Sequence, residues 1–97
     1  MKSRNDEIEI DLNDVKMIMQ EDYIHFDRIV NNCYCIHCSR GNSVTLSNYK
    51  AYFNSLNDII LKGSCKNCGN PIARYIETGE QETSAEIAEH IRSVKAI

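Results

Sequence analysis

Two Cys-x-x-Cys pairs in a chain of 97 residues constrain this protein more than any other feature of its sequence. The pairs are Cys35/Cys38 and Cys65/Cys68, and Gly69 follows the second pair where a positive φ is often needed. The spacing lets both sulfurs of a tight turn point at one ion about 2.3 Å away, while backbone N–H groups of the turn hydrogen-bond to the thiolates. Two such turns, brought together, close a tetrahedral site of four sulfurs. A site of this kind has no open coordination position and is structural rather than catalytic.

The segment that carries both pairs resembles a zinc ribbon. Tyr34 stands before the first pair and Gly69 after the second, as in small prokaryotic zinc-ribbon proteins of uncharacterised function. The resemblance covers residues 32–77 and implies two zinc knuckles on antiparallel hairpins. The ligands that it implies are Cys35, Cys38, Cys65 and Cys68. We therefore expect one structural Zn²⁺, which we favour over iron, although four thiolates can bind either metal.

The distance between the pairs departs from a simple ribbon. Residues 39–64 number 26, which exceeds the spacing of about 15–20 residues usual for a four-cysteine site. The excess is about one helix long, and it predicts a helix over 47–61 inserted between the knuckles, with Ser47 as N-cap and Gly63 as C-cap. Apolar residues recur there at helical spacing: Tyr49, Tyr52, Phe53, Leu56 and Ile60. We interpret this stripe as core rather than as a platform for stacking bases.

The predicted fold class is therefore small α+β: a zinc ribbon with antiparallel hairpin strands, the inserted helix and a C-terminal helix. We divide the chain into an acidic N-terminal segment that packs on the ribbon (1–31), the zinc-ribbon core (32–78) and the C-terminal helix (79–97). Within these parts, alternation predicts a strand over 8–12, and a further strand over 71–77 is expected to follow the second cysteine pair.

Capping signals predict two further helices. Asn13 and Asp14 are expected to cap a helix that runs to about Asp22, with Val15, Ile18 and Met19 on its apolar stripe. Thr83 and Glu86 have the spacing of a capping box for the C-terminal helix. The apolar stripe of that last helix is formed by Ile87, Ile91 and Val94.

Cys33 is left over from the two pairs. An odd number of cysteines favours metal binding over disulfides, and pairings of Cys33 with Cys35 or Cys38 stay open as alternatives. We expect Cys33 to be a semi-buried apolar residue and the one fast-reacting thiol of the metal-bound protein. The three histidines are interpreted as surface or packed residues: His25, His37 and His90.

The sequence favours a non-enzymatic role. It has no Ser/His/Asp set, Gly-rich phosphate loop or carboxylate pair at motif spacing. We therefore predict a structural zinc-binding module that acts as a small adaptor or regulatory protein-interaction domain, with a protein or a second copy of the chain as partner. No run of about 18 apolar residues and no secretory signal occurs, so we expect a cytoplasmic location and no membrane association.

The charge distribution supplies the alternative function. The net charge is −3, yet residues 33–75 carry five basic residues and only Asp58 as an acid. A nucleic-acid-binding ribbon of the transcription or translation type would use this basic centre, although the acidic flanks oppose phosphate. Its candidate contacts are Arg40, Lys50, Lys62, Lys66 and Arg74.

Overall fold

The computed structural model of the protein describes residues 7–38, 43–54, 56–78 and 81–95. Its elements are strand β1 (Ile8–Ile10), helix α1 (Leu12–Met19), a 3-10 helix (Gln20–His25), helix α2 (Phe26–Val30), strands β2 (Leu46–Phe53), β3 (Ile59–Cys65) and β4 (Pro71–Ile76), and helix α3 (Glu82–Lys95). The strands form one antiparallel sheet in the order β1-β2-β3-β4. The predicted small α+β class is confirmed. No helix in the described ranges has the length and apolarity needed to cross a membrane.

The N-terminal segment packs on the sheet through β1 and α1. Helix α1 is capped one turn earlier than predicted, by Asp11, whose carboxylate accepts from the Asp14 N–H at 2.9 Å. In return, the Asp14 carboxylate accepts from the Asp11 N–H at 3.2 Å, which completes a reciprocal capping box. The predicted stripe of α1 is buried, and the chain stays helical to Val30.

The predicted helix over 47–61 is wrong, because this segment forms most of β2, a tight turn and the first three residues of β3. The two strands pair in register, with Tyr52 opposite Ile60 and Phe53 opposite Ile59. The turn is stabilised by the Asn54 side-chain oxygen, which accepts from the Leu56 N–H at 2.9 Å and the Asp58 N–H at 3.0 Å. An asparagine that bonds the backbone ahead of it favours a turn over a continuing helix.

A bulge interrupts the period-2 pattern at the start of β2. The pairing with β3 shifts between Ser47 and Lys50, and Asn48 adopts a φ of 52°. Such a bulge adds one residue to a strand, so its inward positions are Leu46, then Tyr49, then every second residue. The inward spacing of three residues between Leu46 and Tyr49 resembles the spacing of a helix.

Gly63 belongs to β3 and does not cap a helix. A Cβ at this position would meet the Ser47 carbonyl oxygen at 2.5 Å and the Tyr49 Cα at 2.8 Å. Only glycine therefore lets β3 approach the bulged part of β2 so closely.

The core lies between the inner face of the sheet and the helices. Its fully buried members include Val15 and Ile18 of α1 and Phe53, Ile59 and Leu61 of the sheet.

Helix α3 docks on α1 through Ser84, whose hydroxyl donates to the Ile18 carbonyl at 2.7 Å. The helix begins at Glu82, so Thr83 lies in its first turn and not at the predicted cap position. Of the predicted stripe, Ile91 is buried, Ile87 is partly buried and Val94 is exposed.

Candidate metal centre

The second Cys-x-x-Cys pair forms the turn between β3 and β4. Cys65 is the last residue of β3 and is buried, whereas Cys68 is exposed. The turn is closed by the Cys65 N–H donating to the Asn70 carbonyl at 2.8 Å and the Gly69 N–H donating to the Cys65 carbonyl at 2.7 Å. Gly69 has a φ of 82°, as predicted from its place after the pair. This conformation disfavours residues with a Cβ, so glycine there lets the turn close.

The first pair lies between α2 and β2. Here the Cys38 N–H donates to the Cys35 carbonyl at 3.3 Å, which closes a turn across the pair. Just before it, Cys33 pairs with Val44 as an isolated antiparallel bridge. The chain then enters β2, whose first residue, Leu46, lies opposite Cys65. The paired strands therefore bring the two turns together at one end of the sheet.

The four predicted cysteines converge at this end. The Sγ atoms of Cys35, Cys38, Cys65 and Cys68 all lie within 4.8 Å of one another. The Cys35–Cys68 and Cys38–Cys65 sulfurs are each 3.5 Å apart. Around an ion with metal–sulfur bonds of about 2.3 Å, tetrahedral geometry separates the sulfurs by about 3.8 Å. The cluster therefore has the donor type, donor number and spacing of a tetrathiolate metal site.

Two asparagines of the second turn contact the sulfurs. The Asn70 amide donates to Cys68 Sγ at 3.3 Å, and the Asn67 amide donates to Cys38 Sγ at 3.5 Å. Residues that hydrogen-bond to the ligands of a metal orient those ligands, and donors to a sulfur stabilise its thiolate form. Neither asparagine was among the site residues predicted from the sequence, although their place within or just after the Cys-x-x-Cys turn was a usable signal.

These contacts spread the thiol pKa values of the metal-free cluster. The Asn70 backbone N–H and side-chain amide lower the pKa of Cys68 to about 6. At Cys38 the Asn67 amide lowers the pKa, but hydrogen bonding with the Cys65, Cys68 and Cys35 thiols outweighs it and raises the pKa to about 12. Metal binding requires every ligand as thiolate, so protons compete with the ion.

Cys33 lies outside the cluster. It is 4% exposed, and its Sγ donates to the Ile29 and Val30 carbonyls at 3.4 and 3.5 Å. Burial raises the pKa of this thiol. Cys33 is therefore packed as predicted, but buried rather than semi-buried. Its burial and raised pKa argue against the predicted fast reaction, because reaction needs both exposure and thiolate.

The remaining predicted residues do not join the cluster. The three histidines are exposed, and the cysteine cluster includes none of them. The basic residues are dispersed: Lys50 and Lys62 extend from the outer sheet face and pair with Glu9 at 3.9 Å and Glu7 at 2.6 Å.

Of the other three basic residues, Arg74 lies opposite the buried Leu61 in the register of β4, on the opposite face of the sheet from Lys62. Lys66 lies within the second turn and donates its backbone N–H to the Thr45 carbonyl at 2.9 Å. Arg40 lies outside the described residues. The four basic residues that the structure describes therefore lie on both faces of the sheet and in the second turn, not in one patch.

Comparison with known proteins found no family model, curated protein or solved structure that matches this chain. The cysteine cluster supports a metal-binding module on geometry alone.

Proposed function

We propose that this protein is a zinc-stabilised module that acts as a small adaptor or regulatory protein-interaction domain. The observation that carries the proposal is the convergence of four cysteine sulfurs from two turns within 4.8 Å. Four protein ligands leave no coordination position for substrate or water, so the metal's proposed role is structural. Zinc is the metal that best fits four thiolates in a closed site, and iron is the alternative.

The surroundings of the cluster support an interaction role. Tyr34 and Ile36 flank Cys35 and are 64% and 77% exposed. Large apolar side chains held in solvent by a rigid turn are a frequent property of binding surfaces. In this proposal the metal fixes the turn, and the turn presents these side chains to a partner.

Ligand substitution tests the metal part of the proposal. Cys65→Ser removes one of the four donors, and Cys33→Ser is the matched control, because both residues are buried and only Cys65 belongs to the cluster. Binding of structural zinc contributes about 10–16 kcal/mol in small domains. This is comparable to the total free energy of unfolding of a domain, about 5–15 kcal/mol. We expect Cys65→Ser to lose bound zinc and its native amide spectrum, and Cys33→Ser to keep both. Native spectra for Cys65→Ser without metal would refute the proposal.

Nucleic-acid binding remains the second function to be tested. Neutralisation of Lys50 and Lys62 by Glu9 and Glu7 weighs against it. The test is a titration of labelled single- and double-stranded nucleic acid at low and high salt, because phosphate contacts weaken steeply with salt. Binding at low salt that Lys50→Ala and Lys62→Ala abolish would replace the protein-interaction proposal.

A further inference from the structure

Strand β4 is an edge of the sheet, since no described strand pairs with it on the side away from β3. The Cys65 N–H bonds the Asn70 carbonyl, and Ser64 lies opposite Pro71 in the next pair. Hydrogen-bonded and non-hydrogen-bonded pairs alternate along an antiparallel ladder. The backbone N–H and C=O groups of Ala73 and Tyr75 therefore point away from β3, toward the open edge. The backbone of Pro71 faces the same open edge. Its missing N–H therefore removes no hydrogen bond between β3 and β4.

A cleft of about 420 Å³ runs along this edge. One wall is formed by three consecutive residues, Ala73, Arg74 and Tyr75. Since neighbouring side chains of a strand point to opposite faces, a cleft that touches all three must follow the backbone edge. The opposite wall is formed by residues 32–34 and Ser43.

We propose that this cleft binds an extended, acidic peptide segment of a partner protein, which adds to β4 as a fifth strand. The inference rests on the proposed interaction function and names its partner class. Backbone groups of Ala73 and Tyr75 supply the hydrogen bonds of strand addition. Tyr34 and Tyr75, 64% and 56% exposed, supply apolar contact area at the two walls.

Arg74 sets the charge of the peptide. The ion pairs of the described residues use Lys50, Lys62 and Lys95 as cations, and none of them involves Arg74. Arg74 lines the cleft and has no acidic partner among the described residues. A carboxylate at the facing position of the added strand would pair with it, and guanidinium matches carboxylate geometry with two parallel hydrogen bonds.

A second copy of β4 fits this edge poorly. Within the bounds of β4, antiparallel self-pairing that places both Ala73 and Tyr75 in hydrogen-bonded pairs has two registers. One places Arg74 opposite its own copy, and like charges directly opposite destabilise a pair. The other places Pro71 opposite Tyr75 in a hydrogen-bonded pair, where proline cannot donate. A peptide of different sequence avoids both penalties.

The test selects random phage-displayed peptides on the zinc-loaded protein and measures the affinity of the selected peptides by fluorescence anisotropy. We expect the selected peptides to be rich in β-branched residues and to carry an acidic residue near the centre. Ala73→Pro removes the outward N–H and should weaken binding about tenfold, which equals about 1.4 kcal/mol. Ala73→Ser keeps that N–H and is the matched control with unchanged affinity. Arg74→Glu should weaken binding of the acidic peptide, and replacing the peptide's acid by lysine should restore it.

Several results would overturn the β4 site: no enriched peptide, equal binding by Ala73→Pro, or a concentration-dependent dimer that Ala73→Pro dissociates. Should Ala73→Pro fail to fold, peptide-induced protection of the Ala73 and Tyr75 amides from hydrogen exchange decides instead, with absence of protection refuting the site. Peptides that bind elsewhere on a zinc-folded protein leave the proposed function standing and refute only this inference. A chain that folds without metal refutes the proposed zinc module whatever the peptides do.

Discussion

Gly63 lies in β3 against the bulge of β2, and adding one methyl group there should destabilise the sheet. The new Cβ would meet the Ser47 carbonyl oxygen at 2.5 Å, the Tyr49 Cα at 2.8 Å and the Tyr49 Cβ at 2.9 Å. Two of these three atoms are backbone, so no side-chain rotation can relieve the contacts. The strands must move apart where β2 and β3 position the second Cys-x-x-Cys turn.

The cost follows from how overpacked sites behave. Inserted methyl groups in well-packed regions cost about 1–3 kcal/mol, and the backbone contacts of Gly63 place Gly63→Ala at about 3 kcal/mol. For a domain of this size each kcal/mol lowers Tm by about 4–8 °C, so a cost of about 3 kcal/mol should lower it by roughly 12–24 °C.

Gly69 provides the comparison that isolates the cause. A Cβ at Gly69 has no neighbour within 4 Å, but its φ of 82° is strained for alanine. Gly69→Ala should therefore cost about 1–2 kcal/mol, and Gly69→Asn should recover most of that loss because asparagine tolerates this conformation. At Gly63 asparagine should be no better than alanine, since the obstacle is space. Thermal denaturation of the four zinc-loaded variants measures this. A Tm for Gly63→Ala within a few degrees of wild type, or rescue of Gly63 by asparagine, would refute the argued close approach.

Three further predictions concern residues outside the cluster. Cys33→Ala should keep the metal and lower the free energy of unfolding by about 1–3 kcal/mol, because a buried sulfur is lost. Urea denaturation measures this change, and loss of the metal would contradict the placement of Cys33. Ser84→Ala should cost about 1–3 kcal/mol in the same assay, since the buried Ile18 carbonyl loses its 2.7 Å donor, and an unchanged midpoint would contradict the docking of α3 on α1. The hydrogen bond from the Asp14 N–H lowers the pKa of Asp11 below 3.8. The charged cap therefore contributes its full stabilisation of α1 above pH 3.8, and this contribution is lost as the pH falls through the lowered pKa. Asp11→Asn, which caps without titrating, should remove this part of the acid dependence of stability, and an identical acid profile would contradict it.

The parts of the fold that follow local rules could be predicted from the sequence. The cysteine spacing identified the four residues that converge, and the strand predicted over 71–77, after the second pair, corresponds to β4. The position after Cys68 identified the positive φ of Gly69. Each of these signals depends on a few adjacent residues, and a tight turn or a single strand needs no distant contact to define it.

The segment between the pairs could not be predicted in the same way. Its apparent helical stripe joins residues from different places: Phe53 on the inner face, Tyr52 and Ile60 opposite each other in adjacent strands, and Leu56 in the turn. The bulge at Ser47–Lys50 interrupts the period-2 pattern of β2. The bulge packs against Gly63, which lies far along the chain. Asn54 is a residue type that favours turns, but the helical spacing of the apolar residues around it indicated a helix. Tertiary contacts overrode the pattern of local propensity.

Metal content and thiol reactivity, measured on one sample before and after chelation, test the central claim most directly. We predict one zinc per chain, slow alkylation of all five cysteines while metal is bound, and loss of the native amide spectrum after chelation. All five cysteines should then react rapidly, with Cys33 becoming reactive only as the domain unfolds, because burial protects it. A chain purified under reducing conditions that contains no metal, keeps its native spectrum in chelator and melts at the same temperature would contradict the account.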